Sequence, residues 1–133
     1  MTILLRGVRG ATTVHANDAA EILAATQELL HEIITENGIV EDEVASVFFT
    51  TTPDLTAVFP AQAARNMGWT RVALMGSQEA NIDDGMELCI RILVHWNTEK
   101  TLGEIRHVYH RGAVRLRPDL YPTNKIVLDG GED

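Results

Sequence analysis

Arg91 is the residue in this chain whose setting most needs a chemical explanation. It is the third residue of "CIRILVHW", residues 89–96, a run otherwise apolar and strand-like. A guanidinium keeps its charge at any cellular pH. Buried without a partner it costs several kcal/mol, so it must reach water or meet a dedicated anion. The other basic residues sharpen the question. Of eleven, nine are Arg, and only Lys100 and Lys125 are Lys. Arg presents a planar fork suited to bidentate recognition of carboxylates and phosphates. An acidic chain with net charge −8 whose cations are nearly all Arg is a candidate for holding a small anion. The compositional bias of a GC-rich genome would give the same count.

Placing these residues narrows the choice. Arg9 sits at the end of a first strand and Arg65 late in a short helix. Arg117 precedes Pro118-Asp119, Glu79 lies in a loop after a third strand, and Tyr109 lies in a fifth strand. Arg65 and Arg117, each alone, read as solvated surface charges. Arg91, flanked by Ile90 and Ile92, does not read that way so readily. The residues alone lead to an anion pocket at strand ends, with its chemistry unassigned.

Other chemistries find little support. Ser46 falls in a strand and Ser77 in a loop, and neither has the G-x-S-x-G setting of a hydrolase nucleophile. Cys89 could pair with His107 or His110, but an isolated Cys in an apolar strand usually behaves as a small hydrophobe. His107 and His110, three apart on a strand, would point to opposite faces, a poor arrangement for one metal. "RGVRG" is not the G-x-G-x-x-G of a dinucleotide site, and no strand-to-helix turn follows it. No metal or cofactor site is expected.

The elements that must hold these residues follow from patterning. Residues 3–8 read as a first strand, closed by Gly10. "NDAAEILAATQELLHEIITENG" is a long helix, with Asp18 and Glu21 as a capping box. Ile22, Thr26, Leu29, Leu30, Ile33 and Ile34 share one face, and Asn37-Gly38 ends it in a left-handed cap. Residues 44–52, rich in β-branched and aromatic types, form a strand stopped by Pro53. "FPAQAARNMG" is a short helix with Pro60 in its first turn and Gly68 past its end. "RVALM" is a third strand, "GSQEANIDDG" a polar loop, and "MELCIRILVHW" a long fourth strand. A turn near residues 101–104 leads to "IRHVYH", a fifth strand, and "RGAVRLRPDL" follows as turn or helix. From Tyr121 onward the chain reads as a frayed acidic tail.

This β-α-β-α-β-β-β order predicts an α+β or α/β domain with one mixed sheet and helices on one face. One long and one short helix cannot cover both faces of five strands. The bare face predicts an oligomer in which sheets pack together. At 133 residues, with 45% hydrophobic and 23% charged content, the chain fits one soluble domain. The net negative charge argues against nucleic-acid binding. No stretch approaches the ~18 apolar residues of a membrane span. The apolar run at the start is too short for a signal peptide, and one cysteine allows no internal disulfide; both fit a cytoplasmic protein.

Four segments, "RGVRGATTV", "TPDLTAVFPAQAAR", "CIRILV" and "IRHVYHRGAVRLRPDL", occur in an order that resembles one family. It is the monofunctional chorismate mutase of the trimeric Bacillus (AroH) type, and the resemblance covers residues 3–120. It implies one chorismate mutase domain over residues 1–120, with 121–133 as a flexible acidic tail. It implies a pseudo-α/β barrel trimer, with active sites in clefts between subunits. The substrate would be the dianion chorismate, rearranged to prephenate on the route to phenylalanine and tyrosine, without cofactor or metal. Carried over by position, Arg91 would address the ether oxygen and a carboxylate. Arg9 would pair with the side-chain carboxylate, and Glu79 would bind the ring hydroxyl. Tyr109 would contact a carboxylate, and Phe59, Arg65, Gly76, Leu116 and Arg117 would line the pocket. Gln62 stands where the pattern has a lysine, and Gly76 where a cysteine is common. Rival expectations are a deaminase on the same trimeric plan, or a non-catalytic module that senses such an anion.

Overall fold

The computed structural model describes residues 2–119; the predicted tail lies outside them. Ten elements follow in order. The strands are β1 (Leu4–Thr13), β2 (Val44–Thr51), β3 (Ala73–Gln78), β4 (Cys89–Thr98) and β5 (Val108–Tyr109). The helices are α1 (Ala19–Asn37) and α2 (Ala61–Asn66), with short 3-10 segments at Glu41–Glu43, Leu102–Glu104 and Arg111–Leu116. The strands form one sheet in the order β3-β2-β4-β1-β5. β4 runs antiparallel to both β1 and β2, whereas β3 is parallel to β2 and β5 to β1. The fold is α+β with a mixed sheet, as the patterning predicts.

Both helices lie on one face. Leu29, Leu30 and Ile33 of α1 are buried against Val8, Val47, Phe49, Ile92 and Val94 of the sheet. Each such side chain contributes about 1.5–3 kcal/mol by leaving water. α1 starts where Asp18 accepts a hydrogen bond from the Glu21 N–H at 2.9 Å. The box is only half made, because the Glu21 carboxylate accepts from His15 N instead, at 2.6 Å. The helix stops at Gly38, whose φ of 74° is the predicted left-handed cap.

The strand boundaries differ from the expectation in instructive ways. β1 does not close at Gly10 but runs on to Thr13, placing Arg9 inside the strand rather than at its end. Gly10 lies under α1: a Cβ there would come within 2.5 Å of Ile33 Cδ1. The glycine permits close packing of helix on strand and ends nothing. β3 begins later than predicted and takes in Gly76 and Ser77, which pair with Phe49 and Thr50 of β2. β5 is only two residues long. Upstream of it, the Asn37 side chain takes the place of a strand neighbour, accepting from Arg106 N and donating to Arg106 O, both at 2.9 Å.

Alternation along β4 sorts its side chains. Ile90, Ile92, Val94 and Trp96 are buried, whereas Arg91, Leu93 and His95 are half-exposed on the opposite face. On that face, Arg111–Leu116 covers one end, packing Ala113 and Val114 on Ala11, Cys89 and Tyr109. None of the described residues covers the rest, which includes Phe48, Met75 and Leu5, at 37%, 60% and 56% exposure.

Candidate active site

Strand register brings the predicted residues toward one line. Thr50 of β2 pairs with Arg91 of β4, which pairs with Ala11 of β1, which pairs with Tyr109 of β5. Neighbouring strands are about 4.8 Å apart, so Tyr109 stands about 10 Å from Arg91 along this row. Arg9 is two residues from Ala11 on the same strand and face. Its guanidinium lies over the Tyr109 ring, 5.9 Å from the centroid.

Glu79 arrives from the loop after β3. Its backbone N–H donates to Thr51 O at 2.7 Å. Its Oε2 accepts from the Thr50 hydroxyl and lies 3.2 Å from Arg91 Nε. The Arg91 N–H is not aimed at that oxygen, so the contact is Coulombic rather than a directed hydrogen bond. Arg91 and Glu79 side chains keep 32% and 25% of their exposure, so the pair is partly screened. Among the described residues Glu79 is the one carboxylate paired with Arg91.

The pair opens onto space. A cavity of about 850 Å³ is walled by the 79–88 loop, the end of β1 and the Arg111–Leu116 turn, and Glu79, Arg91 and Leu116 line it. Arg91 also borders a second concavity, of about 350 Å³, on the bare sheet face with Arg9, Thr50 and His95. It is the residue common to both. A third cavity, of about 490 Å³, lies at the β3 edge and is lined by Phe59 and Gly76. Phe59 is 79% exposed there. Arg65 is exposed on the last turn of α2. The predicted set therefore divides. Glu79, Arg91 and Leu116 share the first cavity, Arg9 borders the second with Arg91 and lies over Tyr109, and Arg117, bonded to Tyr109, lines a separate concavity of about 620 Å³ with His107. Phe59, Gly76 and Arg65 belong to the β3 side. Gly76 pairs with Phe49 and Phe49 with Ile92, on the helix-covered face opposite Arg91, and Phe59 and Gly76 line a cavity that Arg91 does not.

Neighbouring charges set the electrostatics. Asp119, then Tyr109, hold the Arg117 cation more firmly protonated than usual. Asp119 takes both Arg117 Nε and Nη2, at 3.0 and 2.7 Å. Burial, and then Arg117 and Arg9, push His107 below its ordinary range. Neutral His107 accepts from Arg9 N through Nδ1 at 3.0 Å, which fixes the Nε2–H tautomer. His110 instead meets Glu32 at 2.9 Å, so the two histidines serve different neighbours. Burial pushes the Cys89 thiol up to about 11, leaving it neutral and a poor nucleophile at pH 7.

Three contributors escaped sequence reasoning: Thr50, which contacts Glu79; His107, which pins Arg9; and Asn17. The Asn17 amide accepts from Thr56 N and Ala57 N and donates to Thr56 Oγ1, tying the loop before Phe59 to the start of α1. Only Asn17, a turn-former just ahead of a helix, carries a local signal.

A family model described as chorismate mutase type I matches residues 5–120. The chain belongs to the chorismate mutase type I family. A chorismate mutase of Thermus thermophilus is 47% identical over 118 residues, spanning 88% of this chain and 97% of the relative. One of Bacillus subtilis is 42% identical over 127 residues, spanning 95% and 100%. A solved chorismate mutase from Clostridium thermocellum superposes with a TM-score of 0.81 at 51% identity, covering 83% of this chain and 98% of that one. A type I chorismate mutase is an isomerase, and the aromatic amino acid route is its setting. Within this chorismate mutase, Gln62 donates to Asn66 Oδ1 at 2.9 Å along one face of α2.

Proposed function

We propose that the space beside Arg91 binds chorismate and carries it to prephenate by restraint and fixed charge. The reaction breaks one C–O bond as one C–C bond forms, in a single pericyclic step. No proton moves and no covalent intermediate forms. The protein's work is to hold a flexible dianion in a compact chair-like shape and to meet the charge that develops on the departing ether oxygen.

The Arg91–Glu79 pair facing an open cavity carries this reading. Arg91 is a permanent fork of donors set on a rigid strand, which suits an oxygen that gains charge only in the transition state. Glu79, held by Thr50, suits the ring hydroxyl on the side that becomes electron-poor. Arg9 and Tyr109 suit the carboxylates, with Leu116 in the cavity wall and Arg117 behind Tyr109. Within one chain Phe59, Gly76 and Arg65 do not line the cavity beside Arg91. A trimer that packs the bare sheet face supplies them from a neighbour, in the cytoplasm that the sequence suggests. The bare Phe48, Met75 and Leu5 support such packing.

Loss of the ultraviolet absorbance of chorismate on mixing with the protein, together with a trimer mass by sedimentation, is the expected result. A monomer that turns chorismate over at a full rate would overturn the shared-site reading. No turnover at all would overturn the reaction.

A further inference from the structure

We infer that Asp54 is a positioning residue of this site. It locks the return of the 79–88 loop into β4 through the backbone of Leu88, and so helps keep Glu79 against Arg91. The inference rests on the reading that Glu79 and Arg91 face the substrate.

The 79–88 loop walls the 850 Å³ cavity, and both its ends are clasped by one short stretch, residues 50–54. At the entry, Thr50 donates to the Glu79 carboxylate and Thr51 O accepts from Glu79 N. At the exit stands Leu88, with φ of 50°. That left-handed region suits Gly or Asn; a bulky side chain there crowds the following carbonyl. A leucine stays in it only where its surroundings over-determine the backbone. Here they do. Leu88 N donates to both oxygens of Asp54, at 3.0 and 3.2 Å. Leu88 O accepts from Val14 N at 2.9 Å.

The same carboxylate takes a second donor. Thr52 Oγ1 donates to Asp54 at 2.6 Å and accepts from Cys89 N at 2.9 Å. Thr52 N completes the clasp by donating to Cys89 O at 3.0 Å. Asp54 thus fixes Leu88 directly and Cys89 through Thr52, two residues before Arg91. The chemistry asks for a carboxylate: it is acceptor-only, and it serves a backbone N–H and a hydroxyl at once. Thr52 and Pro53 line the cavity, but Asp54 does not. It acts through the backbone rather than by touching a ligand.

The test is a cycle in the full-length protein, with chorismate turnover measured for wild type, Asp54→Ala, Leu88→Gly and the double variant. Asp54→Ala in the wild-type background should lower kcat on the order of tenfold, as small misplacements of a reacting group do. In the Leu88→Gly background the same change should cost less than about twofold, because glycine adopts the left-handed turn without a clamp. Unchanged turnover per folded molecule with a lower melting temperature would mean a merely structural role and overturn the inference. So would a loss of equal size in both backgrounds, which would point to the charge itself. If Asp54→Ala does not fold, Asp54→Asn replaces it. Amide exchange at Glu79 supplies a readout independent of activity: it should quicken in Asp54→Asn and slow again when Leu88→Gly is added. Unaltered exchange overturns the clasp. A wild-type protein inert toward chorismate would sink the reaction reading while leaving the exchange result to stand or fall alone.

Discussion

Thr50 and Arg91 are paired residues on adjacent antiparallel strands, and both address the same oxygen of Glu79. The carboxylate is thus held from below by two neighbouring strands while its loop arches over the cavity. Glu79 serves Arg91 without consuming it. Only the Nε edge faces the acid, and a guanidinium offers five N–H donors in all.

Removing that guanidinium should cost most. Arg91→Ala is expected to lower kcat by at least about 10²-fold, the usual loss for one donor to a developing oxyanion. Arg91→Lys should recover little, since a point charge does not reproduce the fork. Chorismate consumption gives the rate, and circular dichroism with sedimentation shows whether fold and assembly persist. Near-native turnover by either variant would remove Arg91 from the chemistry.

Thr50→Val keeps the shape of the side chain and deletes its donor to Glu79. One hydrogen bond of about 1 kcal/mol predicts a loss of about three- to tenfold in kcat/KM. Full activity would show that Glu79 holds its place by its backbone alone.

His107 gives stability a pH dependence. Its folded pKa lies below the ordinary 6.5, chiefly through burial. The neutral ring is therefore favoured in the folded state. Its contribution is fully present above about pH 6.5 and is lost as pH falls through the lower native value. Melting temperatures at pH 7.5, 6 and 5 should fall in the wild type and fall less steeply in His107→Asn. Equal slopes would rule out His107 as the titrating group.

Gly10→Ala should destabilise without touching any ligand. The new methyl would meet Ile33 Cδ1 at 2.5 Å, Val108 O at 3.1 Å and Leu29 Cδ1 at 3.2 Å. Overpacking of this kind costs about 1–3 kcal/mol, to be read from denaturant midpoints. A midpoint equal to wild type would mean that α1 can slide away at no cost.

Much of this architecture was legible because it is written locally. The 3.6 period of α1 and the alternation of β4 specify which faces are buried, and Gly38 specifies where α1 ends. Arg91 stood out for the same reason: a charge inside an apolar alternation is visible without knowing any neighbour. What faces it is not visible. Glu79 meets Arg91 only because β3 and β4 both pair with β2, and such pairings leave no mark in the chain between. β5 was over-read because "IRHVYH" has strand-like residues, but the Asn37 amide occupies the place of a strand partner beside Arg106. Asp54 carries no local signal, since its partner Leu88 is 34 residues away. The roles of Arg9, Tyr109 and the β3-side residues came from resemblance, not from pattern.

The alternation of β4 also bears on how such a gene can change. Inserting or deleting one codon between Leu88 and Arg91 would turn the guanidinium toward the helices and an isoleucine toward the cavity, since a one-residue slip exchanges the two faces of a strand. The same length change in the 81–85 stretch, outside both strands, would leave that polarity intact. Natural length variation should therefore collect in the loop and spare the three residues that lead into Arg91.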